Sequence, residues 1–529
     1  MSAVEEYDVV VVGLGPTGLT AAALLGQLKH RVAVIEKHPA LYGLPRAGHV
    51  DHEIVRTLQD LGVEGPFLED AFPIEDYHWY NADRQVLLSF NWGGISVSGF
   101  NSDYMMYQPV MEDAIVSAIR RESRYVSMLQ GYEVLRVSQD DKVSLEITRC
   151  VSDGPESLKR VGEPKTLRAR YVIAADGARS GIREACAIRR DRQDFNATWL
   201  DVDVFVKRPL PKMNPHQVCD PRRPAFISPL GKRHHRFEWC VLPGESVEDF
   251  AKPEKAWALL AGLGITTEDV EIRRQQVYGF EAKVAESWRA GRILLAGDAA
   301  HTMPPFMGQG ACSGMRDSVN LAWKLDLILR GISSESILDS YQIEREPHTR
   351  TWIDLSILSG EVSCTLDAEQ AAQRDAALLS GTAPPMPAFP HLTAGVLFKA
   401  PQGAPIAPAG ELFLQREVAI GERRGLFDDV VGRGFLLIGV HGDPRVGLSE
   451  ADTQFLSSIG TTAAWIANAG QSMASAFDDL TGEYAQLFER TGTVAFLIRP
   501  DHYIFGAARS KGELSEMIGQ LKSSLHITP

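Results

Sequence analysis

The sequence lacks the features of nucleic-acid-binding and membrane proteins. Its 54 Lys and Arg are outnumbered by 68 Asp and Glu, giving a formal net charge of -14. Because nucleic acids are bound by clustered cations, this balance argues against a nucleic-acid partner. No stretch approaches the roughly 18 apolar residues that span a bilayer, and the first residues do not resemble a cleavable leader. We therefore expect a cytoplasmic protein that does not bind a membrane.

Cysteine is also scarce, and its positions follow no metal-binding or redox pattern. The 6 cysteines form no CxxC pair and show no metal-ligand spacing. This predicts reduced thiols and no metal site. The chain of 529 residues, with 44% hydrophobic and 23% charged residues, is long enough for two to four globular domains.

A glycine-rich motif follows the first apolar run of the chain. It contains Gly13, Gly15, Pro16, Thr17 and Gly18 and precedes a predicted helix, Leu19–Leu28. Glycines at these spacings allow a tight turn, close approach of a pyrophosphate, and packing of the helix on the strand. Glu36 ends a second predicted strand, Arg31–Ile35, where a carboxylate accepts hydrogen bonds from a ribose diol. The motif predicts a dinucleotide site but does not separate NAD from FAD.

A second apolar strand, Arg292–Ala296, ends in Gly297 and Asp298. A run of prolines and glycines follows and leads into a long predicted helix. An Asp at such a strand end can hold a ribitol hydroxyl, and a helix N-terminus stabilises the anionic reduced flavin. This motif favours FAD.

Together these motifs resemble the fingerprints of the single-component flavoprotein aromatic hydroxylases, the para-hydroxybenzoate hydroxylase class (class A). The resemblance rests on the glycine motif with Glu36, on Asp176–Ser180, and on Gly297–Gly310. Pro45-Arg46-Ala47, Phe237-Glu238 and the tail Leu497–Tyr503 are similar to the 3-(3-hydroxyphenyl)propionate hydroxylase and phenol hydroxylase branch. That branch carries a thioredoxin-like C-terminal domain, in which this chain has no CxxC.

The resemblance implies tightly bound, non-covalent FAD, transient binding of NADH or NADPH, and use of O2 through a flavin C4a-hydroperoxide. The product would be a phenol hydroxylated ortho to an existing hydroxyl. The implied FAD-binding residues are Gly13, Gly15, Pro16, Thr17, Gly18, Glu36, Lys37, Arg46, Gln108, Val134, Asp176, Asp298, Pro305, Gly308, Gly310, Ala311 and Cys312. Cys312 stands where the family more often has asparagine, and we expect it to be inert.

The resemblance also suggests residues for the reaction itself. Pro305 would pack beside the isoalloxazine, and His49 is the best candidate for the base that removes the phenol proton, with neighbouring His52 as the alternative. Predicted substrate residues are Trp199, Asp203, Arg236 and Glu238, which alternate along predicted strands. A mutual ion pair of Arg236 with Glu238, and core packing of Trp199, remain alternatives.

The predicted fold is α/β: a Rossmann-like FAD-binding domain of the glutathione-reductase type, an inserted mixed β-sheet substrate domain, and a C-terminal thioredoxin-like domain. The FAD-binding domain would comprise residues 1–185 and 286–380. The substrate domain would comprise 186–285 with parts of 75–110, followed by a linker at 381–408 and the C-terminal domain at 409–529. The C-terminal domain is also a candidate for homodimer formation.

Two other functions remain open at this point. A flavin reductase or dehydrogenase can use the same scaffold without hydroxylating, because fold does not fix function. A non-catalytic flavin-binding module is the second alternative. The expected partner in the hydroxylase case is a small aromatic compound.

Overall fold

The computed structural model describes residues 5–154, 157–193, 195–211, 214–385, 387–467 and 475–526. Some residues of the domain ranges predicted from the sequence lie outside these described segments. Two compact units are present: Met1–Gly94, Asn101–Arg316 and Thr351–Phe389 form the first, and Ile95–Phe100, Asp317–Arg350 and Pro390–Pro529 form the second. The domain boundaries given above stay predictions.

The first unit contains most of the strands. In chain order they are β1 (Glu5–Val12), β2 (Val32–Glu36), β3 (His49–Asp51), β4 (Phe72–Pro73), β5 (Asp76–Tyr80), β6 (Val86–Asn91), β7 (Asp103–Met105), β8 (Val126–Gln130), β9 (Tyr132–Gln139), β10 (Val143–Ser152), β11 (Leu158–Ala174), β12 (Arg190–Gln193), β13 (Thr198–Val206), β14 (His216–Val218), β15 (Ala225–Leu230), β16 (His234–Cys240), β17 (Val270–Gly279), β18 (Ala282–Ala285), β19 (Arg289–Ala290), β20 (Ile293–Leu295) and β21 (His301–Thr302).

Its helices are α1 (Pro16–Gln27), α2 (His52–Asp60), α3 (Glu64–Asp70), α4 (Gln108–Arg121), α5 (Gly181–Ala185), α6 (Val247–Phe250), α7 (Pro253–Gly262) and α10 (Ala368–Leu379). Two further helices, α8 (Gln309–Leu329) and α9 (Asp339–Ser363), each belong partly to the first unit and partly to the second. No helix in the described parts of the chain combines the length and apolar character needed to cross a membrane.

The first sheet is the parallel core that the glycine motif predicts. Its order is β19-β20-β11-β1-β2-β8, with β10 and β9 continuing from β11. β1 runs parallel to β2 and β11, and β11 runs parallel to β20. The last four residues of β1, Val9–Val12, are all buried, as expected for a central strand covered on both faces. This arrangement is the Rossmann-like parallel sheet that the sequence predicts.

The second large sheet has the order β17-β13-β16-β15-β14-β5-β6. One face carries apolar residues such as Val202 and Phe237, which pack with Phe250 of α6 and Leu260 of α7. Because side chains alternate along a strand, the opposite face carries Asp203 and its neighbours. We call this opposite face the polar face. It includes Trp199, Asp201 and Asp203 of β13, Arg236, Glu238 and Cys240 of β16, Phe226 of β15, and Arg274 and Tyr278 of β17.

The second unit contains a mixed sheet of order β23-β22-β26-β25-β24-β27-β28. Its strands are β22 (Glu417–Ile420), β23 (Arg423–Leu426), β24 (Leu436–Gly439), β25 (Thr462–Ile466), β26 (Ala476–Asp479), β27 (Ala495–Ile498) and β28 (Ile504–Ala508). The accompanying helices are α11 (Phe427–Val430), α12 (Glu450–Ser458), α13 (Glu483–Thr491) and α14 (Lys511–Ser524). A parallel β24–α12–β25 unit followed by the antiparallel β27–β28 pair and α14 is consistent with a thioredoxin-like domain.

One local prediction in this unit is wrong. The sequence favours a single helix over Ser475–Arg490, whereas the structure has β26, a turn, and then α13. The Asp479 carboxylate accepts a hydrogen bond from the Gly482 N–H at 2.9 Å, and Gly482 takes a positive φ of 75°. An Asp-x-x-Gly turn of this kind breaks a helical pattern.

Candidate cofactor and active site

The three motifs meet at one edge of the parallel sheet. The Gly13 N–H donates to the Ile35 carbonyl at 2.8 Å, and the Ala175 N–H donates to the Val12 carbonyl at 2.8 Å. The Ala296 N–H in turn donates to the Ala174 carbonyl at 2.9 Å. Parallel strands therefore bring residues that are distant in sequence to a single carboxyl-end edge, where α/β folds bind their ligands.

The turn at Gly13 has no space for a side chain. Its φ is +105°, and a Cβ there would lie 2.2 Å from the Ala175 carbonyl oxygen. Thr17 makes a similar close contact with the third motif, because a Cβ on Gly297 would lie 2.5 Å from its Oγ1. The glycines thus let the three motifs approach one another at backbone distance.

Gly15 has a different environment. It is the N-cap of α1, with Pro16 as the first helical residue, and no side chain caps this helix. A Cβ on Gly15 would meet only the Arg46 guanidinium, at 3.6 Å, and Arg46 is itself exposed. Uncapped N–H groups at a helix start, beside a guanidinium, suit a pyrophosphate.

Two carboxylates at this edge, those of Asp298 and Asp176, are placed where they could bind polar groups of FAD. Asp298 is accessible to solvent, and partial desolvation by the surrounding protein raises the pKa of its carboxyl group. Asp176 accepts a hydrogen bond from the Ile182 N–H at 3.3 Å, while its buried Oδ1 has no hydrogen-bond partner among the described residues. Burial also raises the pKa of Asp176. A buried oxygen without a protein partner, such as Asp176 Oδ1, is available to accept a hydrogen bond from a ligand.

Glu36 is fixed at the glycine turn. One of its oxygens accepts a hydrogen bond from the Leu14 N–H at 3.1 Å, and the other accepts one from the His38 N–H at 2.9 Å. Each oxygen keeps a further lone pair for a ribose hydroxyl. Lys37 is exposed beside it, and Val134 is half-buried on β9, so both stay predicted contacts.

Gln108 makes protein contacts with both ends of its amide. Its Oε1 accepts hydrogen bonds from the N–H groups of Arg46 and Ala47 at 2.9 and 2.7 Å. Its Nε2 donates to Glu112 at 2.6 Å, and the residue is 1% exposed. In this structure Gln108 holds the Arg46 segment in place; the predicted contact with the ribitol stays a prediction.

His49 is buried with both ring nitrogens engaged. Nε2 lies 2.8 Å from Oδ1 of Asp103, and Nδ1 lies 3.3 Å from the Gly308 carbonyl oxygen. Both partners accept hydrogen bonds, which requires an imidazolium that donates from each nitrogen. Burial opposes this charge, but hydrogen bonds with Asp103 and Cys312 outweigh it and hold the pKa of His49 well above its usual value.

The start of α8 lies directly against His49. Gly308 ends the turn Pro305–Met307 with a φ of +64°, and a Cβ there would lie 2.6 Å from His49 Nδ1. Pro305 is exposed, and Gly310 and Ala311 are partly exposed, so this helix start is accessible as a flavin site requires. Cys312 is buried, with Sγ 3.9 Å from the His49 carbonyl oxygen, and burial raises the pKa of its thiol.

The predicted substrate residues belong to a buried charge cluster. Arg236 makes a two-pronged ion pair with Asp203, at 2.7 and 2.9 Å. Its remaining nitrogen donates to the Arg46 carbonyl at 2.8 Å and lies 3.7 Å from Glu238. Asp201 is 3.2 Å from Arg236 and also contacts Arg274. The principal ion pair of Arg236 is therefore with Asp203, and Glu238 is a weaker neighbour.

Trp199 belongs to an aromatic cluster beside these charges. The cluster contains Phe195, Trp199, Cys240 and Phe280, with Phe226, Tyr278 and Phe306 packed against it. Trp199 is 1% exposed, which fits the core-packing alternative. Phe226, Tyr278 and Phe306 keep partial exposure. Phe306 directly follows Pro305, so the cluster joins the polar face to the predicted flavin motif.

Sequence reasoning missed three residues of this region. Asp103 reaches His49 only because β7 pairs with β3, a long-range pairing with no local signal. Arg274 and Tyr278 lie on β17, where the alternation Arg274-x-Gln276-x-Tyr278 could have identified them.

Comparisons with known proteins show the family to which the chain belongs. Residues 6–356 match the family described as FAD binding domain, and residues 410–524 match the HcaD C-terminal domain. A probable NADH-specific resorcinol 4-hydroxylase of Rhodococcus jostii (strain RHA1) is 35% identical, over 99% of this chain and 96% of the relative. A 3-(3-hydroxy-phenyl)propionate/3-hydroxycinnamic acid hydroxylase of Comamonas testosteroni is 31% identical, over 99% of this chain and 97% of the relative.

Among solved structures, the fold is similar to that of the flavin-dependent monooxygenase PieE in complex with FAD and substrate. The TM-score is 0.79 at 23% identity, covering 98% of this chain and 99% of that one. Fold, motifs and full-length relatives agree, and the chain belongs to the FAD-binding-domain family of flavin-dependent aromatic hydroxylases.

Proposed function

We propose that the protein is an NADH-dependent, FAD-containing monooxygenase that hydroxylates a small uncharged phenol ortho to an existing hydroxyl. The observation that carries this proposal is the aromatic cluster, because Phe306 connects it to the flavin motif. A flat aromatic substrate packs well against offset and edge-on rings of this kind. NADH is proposed because a relative is named NADH-specific.

Each part of the cofactor has candidate residues in this chain. Gly15, Arg46 and the start of α1 would hold the pyrophosphate, Glu36 the adenosine ribose, and Asp298 the ribitol. The start of α8 would face the flavin ring. When bound, FAD carries electrons from the nicotinamide to O2, which supplies the oxygen atom of the new hydroxyl group. The buried aromatic surroundings would keep water away from this chemistry.

The charges of the polar face favour an uncharged phenol over an aryl acid. Arg236 is paired with Asp203, and Arg274 contacts Asp201 and Asp203. Neither guanidinium of this face is therefore available to bind a carboxylate without giving up a buried partner. Losing such a pair is costly. This supports a substrate like resorcinol, the compound in the name of one relative.

His49 can act as the base only if two conditions are met. To accept a proton, it must first be neutral, and Nδ1 must leave the Gly308 carbonyl oxygen, 3.3 Å away. The contacts in this structure better support a positioning role, in which His49 and Asp103 fix the start of α8. Homodimer formation and a cytoplasmic location are also proposals.

The test is phenol-stimulated oxidation of NADH by the FAD-loaded protein. We expect resorcinol to stimulate NADH oxidation and to be converted to a product with one added oxygen atom, while 3-(3-hydroxyphenyl)propionate stimulates less. Preference for the acid would contradict the substrate class. Reduction of the flavin by a substrate without any nicotinamide would instead favour a dehydrogenase.

A further inference from the structure

The buried cluster on the polar face contains one more carboxylate than it has cations. The carboxylates are Asp201, Asp203 and Glu238, and the cations are Arg236 and Arg274. The side chains of the three acids are 1%, 1% and 8% exposed. An unpaired buried charge is strongly destabilising, so the cluster tends to keep one proton.

Distances show that Glu238 is the acid held least closely by Arg236, and burial raises the pKa of Asp201 in the same cluster as well. Asp203 lies 2.7 Å from Arg236, and Asp201 contacts Arg274 and lies 3.2 Å from Arg236, whereas Glu238 is 3.7 Å from Arg236. Burial, only partly offset by Arg236, raises the pKa of Glu238 to about 7. The Tyr278 hydroxyl also forms a hydrogen bond with Glu238. Near neutral pH this carboxylate can therefore both accept and release a proton.

Glu238 lies where the charges meet the aromatic cluster. On β16 its same-face neighbours are Arg236 and Cys240, and Cys240 belongs to the cluster. Glu238 pairs with Phe226 of β15 on one side and with Asp201 of β13 on the other. A phenol ring packed against Phe226 and Tyr278 would therefore direct its hydroxyl group toward Glu238.

We infer that Glu238, held between Arg236 and Tyr278 beside the aromatic cluster, takes the proton from the bound phenol. This inference rests on the proposed function. The phenol O–H bond breaks, the proton bonds to a carboxylate oxygen of Glu238, and the electron pair stays on the phenolate oxygen. The negative charge passes from Glu238 to the phenolate, so the total charge of the buried set is unchanged. The phenolate makes its ortho carbon electron-rich, as hydroxylation requires.

Charged and polar groups on three strands set the proton affinity of Glu238. β13 supplies Asp201 and Asp203, β16 supplies Arg236, β17 supplies Arg274 and Tyr278, and the neighbouring residue of β15, Phe226, is apolar. Replacing Glu238 by Gln removes the acceptor but keeps the shape and the hydrogen bond with Tyr278. Glu271→Gln is the matched control, because Glu271 is a solvent-exposed acid on β17 paired with Arg273.

The experiment measures the rate of resorcinol hydroxylation by the FAD-loaded protein over a range of pH, with the product checked for one added oxygen atom. In the wild type we expect the rate to rise with pH through the titration of Glu238, because only its carboxylate form accepts the phenol proton. Glu238→Gln should still bind resorcinol but hydroxylate it at least tenfold more slowly and without this rise, and Glu271→Gln should behave as the wild type. Equal rates and pH profiles in wild type and Glu238→Gln would overturn the inference while leaving the proposed function intact.

An infrared titration without substrate gives an independent check. The wild type should show a protonated carboxyl band that titrates near neutral pH and is missing from Glu238→Gln. Absence of that band from the wild type would overturn the inference. Should Glu238→Gln fail to fold, Tyr278→Phe should move the band to higher pH, and an unmoved band would count against the inference. A wild type that binds no phenol would instead remove the proposed function.

Discussion

Gly13→Ala and Gly15→Ala should affect different properties. The first should lower the stability of the apoprotein, and the second should weaken the binding of FAD. At Gly13 the backbone has a φ of +105°, and the new Cβ would lie 2.2 Å from the Ala175 carbonyl oxygen. Backbone strain of this kind costs about 1–3 kcal/mol, and overpacking costs about 1–3 kcal/mol more. Because this oxygen belongs to the backbone of Ala175, which directly follows β11, no change of side-chain rotamer relieves the contact. Gly13→Ala should therefore destabilise the apoprotein by about 2–6 kcal/mol.

At Gly15 the apoprotein should tolerate alanine. The backbone is extended, with φ -80° and ψ -179°, and the nearest atom is the flexible end of Arg46 at 3.6 Å. The lower entropy of the unfolded chain favours alanine by about 0.4–1 kcal/mol and offsets the slightly poorer N-cap. The cost should appear in FAD binding, because the Cβ occupies the path of the pyrophosphate. Loss of one charge-assisted hydrogen bond, about 1.5–3 kcal/mol, weakens FAD binding roughly 10-fold to 150-fold.

The assay combines urea denaturation of both apoproteins with flavin fluorescence titration. We expect Gly13→Ala to lower the denaturation midpoint, and Gly15→Ala to keep the wild-type midpoint while binding FAD more weakly. Wild-type FAD affinity in Gly15→Ala would refute the assignment of the pyrophosphate to this turn. Wild-type stability in Gly13→Ala would refute the steric argument.

Three further predictions concern single side chains. Asp298→Ala should fold normally but weaken FAD binding by tenfold or more, measured by flavin titration; unchanged affinity would rule out its ribitol contact. Asp103→Asn should destabilise the protein more at pH 6 than at pH 9 in urea denaturation. The pKa of His49 is raised on folding, so its contribution is present below about 6.5 and is lost as pH rises through the higher folded value. An equal loss at both pH values would contradict an ionised His49. Arg499→Leu should cost about 3–5 kcal/mol of stability, because it leaves the buried carboxylates of Glu344 and Asp501 with Lys324, which pairs with Glu344, to offset both charges. Stability unchanged in thermal and urea unfolding would show that this ion cluster is dispensable.

The parallel core and its motifs could be predicted because their signals are local. A buried strand, a glycine turn and a helix follow one another at Gly13 and again at Gly297, so the sequence alone indicates a cofactor at a strand edge. The alternation along Trp199–Val206 likewise predicted β13. In the C-terminal region the sequence predicts a helix from Ser475, whereas the turn at Asp479–Gly482 separates the strand β26 from the helix α13.

The partners of buried side chains could not be predicted, since they depend on long-range pairing. His49 meets Asp103 through the β3–β7 pairing, and the sequence gives no sign of it. The pairing of Arg236 with Asp203 rather than Glu238 follows from the register of β13 against β16. Gln108 was assigned to the cofactor by resemblance, yet its amide is engaged by the Arg46 segment. Motif spacing locates a site, while register decides which side chains interact within it.

The central claim is that three separated motifs hold one FAD that is used to hydroxylate a phenol. The most direct measurement supplies heavy-isotope oxygen gas to the FAD-loaded protein with NADH and resorcinol, and analyses the product by mass spectrometry. We expect one labelled oxygen atom in the product and NADH consumption in equal amount. Unlabelled product, or NADH consumption that yields only hydrogen peroxide with every phenol tried, would contradict the account.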